Sequence, residues 1–305
     1  VVSEMCIRDS KSVAMKKSEK KRTDAFDSSE ELRRTFRKIR RHRGFIVGFL
    51  LLFSLCLLMA TSLLFTPHDP YKMNPKASFR PPSWNHPFGT DDFGRDTFSR
   101  CMVGSQTALL VGLISTSISL GFGMLLGLLA GLSSKWVDEI IMRLMDGLYA
   151  FPAILFAIAL ISVLGSDVKN ATIAIGIARI PIFAREVRNS VRQVKIKNFA
   201  VAARAMGVSY PRQILFYYLP SILAPLTVLT SSSFAYTILS ESGLSYLGLG
   251  SQPPFPSWGR LLMESQRFLT RAPWLSVFPG IMIAWAVLAF TLLGDGLRDI
   301  ADPKI

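Results

Sequence analysis

"CMVGSQTALLVGLISTSISLGFGMLLGLLAGLSS", residues 101–134, runs for 34 residues without a charged side chain. A helix needs about 20 apolar residues to cross the hydrocarbon core of a bilayer, so this run crosses it with length to spare. Four more uncharged runs follow the same logic: Phe45–Phe65 (21 residues), Gly147–Leu164 (18), Leu219–Ser240 (22) and Trp274–Gly294 (21). A sixth, Asn170–Ala184, is interrupted by Arg179. Half of the 305 residues are hydrophobic, and the mean hydropathy is positive. These runs predict an all-α integral membrane protein with about six transmembrane helices.

The net charge of +14 first points to nucleic acid, but its distribution argues otherwise. With a cytoplasmic N-terminus, the inside segments (1–43, 135–146, 185–218, 295–305) hold 25 Lys and Arg, and the outside segments (66–100, 165–170, 241–273) hold 9. Basic residues are retained on the cytoplasmic face, which places both termini inside. The run RRTFRKIRRHR (33–43) then reads as a topology signal in contact with anionic lipid. A nucleic-acid binder needs stacking aromatics on a basic soluble domain, and the tail offers only Phe26 and Phe36. Cys6, Cys56 and Cys101, like His42, His68 and His86, are scattered. Metal and redox chemistry are therefore set aside, with no metal ligand and no catalytic residue expected.

Residues 1–34 read as a disordered basic cytoplasmic tail. The chain begins VVSEMCIRDSKSVAMKK, and the expected native start is Met15, with residues 1–14 derived from upstream sequence. Residues 35–100 read as an N-terminal transmembrane helix with an external segment, and 101–305 as the membrane core. The external stretch TPHDPYKMNPKASFRPPSWNHPFGTDDFGRDTFSR (66–100) is too long to lack structure. It is expected to be extended up to Pro87, with a helix starting near Thr90 and Thr90 or Asp91 as its N-cap. DDFGRD lacks the ligand register of a calcium loop, so Asp91, Asp92, Arg95 and Asp96 read as caps and braces of the helix entering the second span.

Gly123, Gly127 and Gly131, four apart, form a small-residue stripe that lets another helix approach. No strand precedes them, which excludes a phosphate-binding loop. Thr230, Ser231, Ser233, Tyr236, Thr237 and Ser240 have two readings: hydroxyls bonded back to their own helix, or the lining of a polar passage. Glu241 fits either. Arg179 lies six residues before Arg185, about 9 Å along a helix, and reads either as an intramembrane functional group or as a side chain snorkelling to the surface. Trp258, in the loop LGLGSQPPFPSWGRLL (247–262), suits the aromatic belt at the membrane interface.

The largest inside loop, 185–218, leads into "NFAVAARAMGVSYPRQILFYYLP" (198–220). Alanine content predicts a helix over Asn198–Met206, ended by Gly207 in the left-handed conformation. Ser209 can cap a second helix with Pro211 in its first turn, meeting Pro220 where the next span begins. Ala202, Ala203 and Ala205 leave one side flat enough to dock on a cytoplasmic partner. A plain surface loop is the other reading.

This stretch resembles the "EAA" loop of ATP-binding-cassette importer permeases: Glu-Ala-Ala, three residues, Gly, nine residues, Ile-x-Leu-Pro. Ala202, Ala203, Gly207, Leu219 and Pro220 stand at the matching places, while Val201 replaces the glutamate and Tyr217 the isoleucine. HPFGTDDFGRDTFSR (86–100), PSWGRLL, APWLSVFPG and LLGDGLRDIADP look like the second permease subunit of dipeptide, oligopeptide and nickel importers. The likeness covers roughly 35–305 in colinear order.

The resemblance implies a type I importer core of five helices plus an N-terminal helix, in a prokaryotic inner membrane. It implies a homologous second permease as partner, two cytoplasmic ATPase subunits and an external solute-binding protein. ATP and Mg would sit on the ATPases and no cofactor on this chain, which has no Walker A sequence and is not an enzyme. Ala202, Ala203, Arg204, Gly207, Leu219 and Pro220 would couple to the ATPase. Asp91, Asp92, Gly94, Arg95, Asp96 and Trp258 would form an external-loop motif. Peptides are the expected substrate by analogy, with nickel or another small solute as the alternative. A stand-alone transporter or channel would show inverted repeats or several ionisable mid-membrane residues, and neither is present.

Overall fold

The structure, a computed structural model, describes residues 42–301. Helix α1 spans Arg43–Leu64, α2 Thr97–Leu132, α3 Lys135–Tyr149, α4 Ala153–Leu164 and α5 Val168–Lys195. The short α6, Asn198–Ala205, precedes α7, Tyr210–Tyr246, which contains a π-helical turn at Ile214–Tyr218. Then come α8, Trp258–Ser265, and α9, Trp274–Ala301. Among the described residues the only strand-like feature is a single bridge between Thr90 and Asp96. Four helices, α1, α2, α7 and α9, are long and apolar enough to cross a membrane. Taking the bent pair α3–α4 as one span brings the number to five.

Small residues set the packing. A Cβ on Gly123 would lie 2.3 Å from the Phe183 Cβ, one on Gly127 2.6 Å from the Ala184 carbonyl, and one on Gly131 2.9 Å from the Val191 Cβ. The expected stripe is thus the groove of α2 into which α5 settles. Ser115 and Ser119 cement that contact, their hydroxyls donating to the Thr172 and Gly176 carbonyls at 2.7 Å each. Helix α1 lies on α9 in the same manner, where a Cβ on Gly48 would sit 2.6 Å from the Leu293 backbone nitrogen. His42 caps α1 through Nδ1, which accepts from the Phe45 N–H, while its Nε2 pairs with Asp299 Oδ2 at 2.8 Å. The start of α1 and the end of α9 therefore meet at one end of the bundle.

Several expectations need correction. Helix α2 starts at Thr97, not near Thr90, and its cap is Asp96, whose Oδ2 accepts from the Ser99 N–H at 2.8 Å. The 18-residue run Gly147–Leu164 is not one helix: the chain bends by 85° at the break between α3 and α4, where Pro152 supplies no N–H. Helix α4 alone has 12 residues, about 18 Å, too short to cross. The sixth expected span falls in α5, which is 28 residues long but not as apolar as the others. Pro220 does not break the chain either. The turn Ile214–Tyr218 relaxes to π geometry, with the Leu219 N–H donating to the Ile214 carbonyl, and helix continues through the proline. The expectations for the tail, the Met15 start and the basic run 33–41 lie outside the described residues.

Candidate functional site

Helix α6 ends as its sequence demands. Gly207 has φ +73°, its N–H donates to the Arg204 carbonyl at 3.0 Å, and the Val208 N–H reaches back to the Ala203 carbonyl at 3.1 Å. That pair of bonds is a Schellman motif. A Cβ at Gly207 would meet nothing within 4 Å, so backbone conformation alone requires glycine there. Ala200 and Ala203, one turn apart, are buried against the protein, whereas Val201, Ala202, Ala205 and Met206 are exposed. Ala203 is therefore not on the docking side as expected. An eight-residue helix must bury one stripe to hold its place, and Ala203 belongs to that stripe.

The loop is bolted to three long helices. Ala200 joins a cluster with Val191 and Val194 of α5 and Tyr218, Ile222 and Leu226 of α7. Phe199 of α6 stacks on Tyr217, centroids 6.3 Å apart, which gives the departure at 217 a packing role. Lys195 Nζ donates to the Gly131 carbonyl at 2.8 Å and Tyr210 Oη to the Leu132 carbonyl at 2.9 Å. These satisfy the last carbonyls of α2, which have no partner within the helix. Arg204 turns back along α6, donating from Nε to the Ala200 carbonyl at 3.3 Å and from Nη2 to the Lys195 carbonyl. Ser209 holds the N-cap position before Tyr210 without a side-chain cap bond. Leu219 is half-buried in the cluster and Pro220 is exposed.

At the far end of the bundle, Asp91 organises the segment entering α2. Its Oδ1 accepts from the backbone of Phe93 and Arg95, and its Oδ2 from Arg95 Nε at 2.6 Å and Arg100 Nη1 at 2.7 Å. Glu264 of α8 takes Arg100 Nη2 at 3.1 Å and Arg260 Nε at 3.0 Å. Burial works to raise the Glu264 carboxyl, but Arg100, Arg260 and Arg95 outweigh it and hold the group below its ordinary range. Asp92 moves the other way, pushed up by burial and then by the neighbouring Asp91. Gly94, at φ +71°, sits where a Cβ would come within 1.9 Å of the Asn74 carbonyl. Trp258 is not an interface residue: it is fully buried, and its Nε1 donates to the Cys101 carbonyl at 2.9 Å. The histidines are not all dispersed either, since the fold brings His68 and His86 together beside Asp96.

Of the six α7 residues read as a possible passage lining, Ser231, Ser233, Thr237 and Ser240 are buried within the chain, and Thr230 and Tyr236 are half-buried. Thr230 bonds back to the Leu226 carbonyl at 2.7 Å, and Ser231 donates to Phe290 of α9 at 3.3 Å. Glu241 is fully buried and accepts from the Ser245 hydroxyl at 2.6 Å. Arg179 does not snorkel. It turns inward to α7, donating from Nη2 to Ser233 Oγ at 2.8 Å and lying 4.2 Å from the centre of the Tyr236 ring. A hydroxyl and an aromatic face within reach compete with the surface for that guanidinium.

The chain matches known proteins over most of its length. Residues 123–305 fit the family model of the binding-protein-dependent transport system inner membrane component, and residues 31–82 that of the N-terminal TM domain of oligopeptide transport permease C. It is 40% identical over 282 residues to a dipeptide transport system permease protein of Alkalihalophilus pseudofirmus, covering 92% of this chain and 93% of the relative. A di/tripeptide transport system permease of Pseudomonas aeruginosa is 39% identical over 282 residues, with 90% and 92% covered. A glutathione transport system permease of Pectobacterium atrosepticum is 42% identical over 224 residues, with 73% and 74% covered. Among solved structures, an inward-facing MetNI methionine ABC transporter shares the fold at TM-score 0.54 and 15% identity, over 65% of this chain and 95% of that one. The chain belongs to the binding-protein-dependent transport system inner membrane components, the multi-pass permease subunits of ATP-binding-cassette importers.

Proposed function

We propose that this permease carries di- and oligopeptides and receives the movement of its ATPase partners through α6. The observation that carries the coupling role is the mounting of α6: a Schellman corner at Gly207, an outward face of Val201, Ala202, Ala205 and Met206, packing on α5 and α7, and the flanking Lys195 and Tyr210 bonded to the end of α2. A knob held by three helices transmits a push as rigid-body rocking instead of absorbing it. Ala202 meets the ATPase, Ala203 and Leu219 seat the knob, Arg204 ties it to the end of α5, and the π turn before Pro220 carries the movement into α7. In this reading the α6 end is cytoplasmic together with both termini, and α5 completes six spans. The partners are a homologous permease, two ATPase subunits holding ATP and Mg, and an external solute-binding protein that docks near the 66–96 segment. Thr230 and Tyr236, half-buried on α7, line the passage first, and the buried hydroxyls join as the helices part.

The peptide assignment rests on relatives named for dipeptides, di/tripeptides and glutathione, all short peptides. Its test is thermal stabilisation of the solute-binding protein that copurifies with this chain. Stabilisation by di- to octapeptides is the expected result, since a ligand that binds only the folded state raises the melting temperature. Stabilisation by nickel chelates or sugars alone would overturn the substrate while leaving the importer intact.

A further inference from the structure

Two histidines 18 positions apart, His68 and His86, stack with ring centroids 4.5 Å apart at the start of α2. Both present Nδ1 to one oxygen. His86 Nδ1 is 2.8 Å from Asp96 Oδ1, and His68 Nδ1 is 3.9 Å from that same atom. The second distance is too long for a hydrogen bond, so the carboxylate satisfies one imidazole and leaves the other beside it. Asp96 is held in place from behind: its Oδ2 accepts from the Ser99 N–H at 2.8 Å and from the Ser99 hydroxyl at 2.7 Å. That hydroxyl in turn accepts from the His68 backbone N–H at 3.1 Å. One ligand atom from each of the three residues lies within 4.8 Å of the others.

We propose that His68, His86 and Asp96 form a binding site for a divalent transition-metal ion of the zinc class. Bonds of about 2.0–2.1 Å in tetrahedral geometry put ligand atoms about 3.3 Å apart, and the two observed separations, 2.8 and 3.9 Å, bracket that value. Bringing in the ion costs His86 one hydrogen bond and gives His68 a partner. Two imidazoles and one carboxylate are a donor set that zinc accepts in sites with an open fourth position. The cluster is open to solvent at His68, whose side chain is 42% exposed, while Asp96 is buried at 1%. Fixed orientation of the carboxylate by Ser99 supplies the outer support that metal ligands require.

The ion would act as a clamp. His68 follows the end of α1, His86 lies in a bend whose backbone pairs with Ser83 instead of running extended as expected, and Asp96 is the cap of α2. Binding would therefore pin a segment of about thirty residues, built of short turns and one 3-10 turn at Pro75–Ala77, to the rigid helix it enters. The ion is resident in this reading, separate from whatever the importer carries.

The test uses the full chain in detergent with a histidine-free affinity tag, stripped with a chelator and titrated with Zn²⁺. One ion per chain is expected, with a rise in melting temperature, and Co²⁺ in its place should show the intense visible bands of four-coordinate cobalt. His68→Gln and His86→Gln should each weaken binding by at least about tenfold. Asp96→Asn, which keeps a good helix cap, should do the same, and His42→Gln should leave binding unchanged. Absence of stoichiometric Zn²⁺ in the wild-type chain, or equal binding by the His68 and His86 variants, would overturn the site.

Discussion

Gly207 and Gly94 share a positive φ, +73° and +71°, but their surroundings differ. Open space surrounds Gly207, so Gly207→Ala should cost about 1 kcal/mol, the strain of an L-residue in the left-handed region. Gly94 has a carbonyl where a Cβ would go, so Gly94→Ala adds a clash and should cost at least about 2 kcal/mol. Thermal unfolding of the two variants in detergent should rank them in that order. Glu264 offers a second test. Its carboxyl lies below the ordinary range in the folded chain, with Arg100, Arg260 and Arg95 around it and Asp91 and Asp92 nearby. A depressed carboxyl contributes stability above its unfolded value and loses it as pH falls through the folded value. The melting temperature should therefore drop as pH is lowered below the ordinary glutamate range. Glu264→Gln should start lower and show a shallower acid limb, and an identical limb would place the loss elsewhere.

Among the elements, α2 was the most legible. Its length follows from the absence of charge over 101–134, and its glycine stripe meets α5 as spacing by fours implies. Gly127→Val should break that contact and lower the melting temperature strongly, while Gly121→Val, with nothing within 4 Å of its Cβ, should be nearly silent. The start of α2 was not legible, because Thr90, Asp91 and Asp96 are all good capping residues. Arg95 and Arg100 decide among them by engaging Asp91, which leaves Asp96 to cap. Nor could periodicity foresee the π turn, since a proline usually marks the end of a helix. The inward face of Ala203 was hidden for a similar reason: alanines lie on both faces of α6, Ala200 and Ala203 inward and Ala202 and Ala205 outward, so only the cluster beneath it sets the rotation. The His68–His86 pair depends on how a 32-residue connection folds, which local pattern does not encode.

In the whole molecule, the pairing of His42 with Asp299 puts the start of α1 and the end of α9 together, and Lys195 and Tyr210, which flank α6, bind the end of α2 at the same end of the bundle. Charge-based topology assigns that end to the cytoplasm. Single cysteines placed at Ala202 and at the chain end should thus react with an impermeant thiol reagent only in inside-out vesicles, and labelling from outside would reverse the orientation. The central claim is that movement enters the membrane helices through α6. It is tested most directly by Gly207→Val in the complete transporter, reconstituted with its ATPases and binding protein, with ATP hydrolysis and peptide uptake measured side by side. The account predicts normal assembly and continued hydrolysis with uptake reduced by at least about tenfold, because the β-branched residue strains the left-handed corner. Uptake at the wild-type rate per ATP hydrolysed would contradict it.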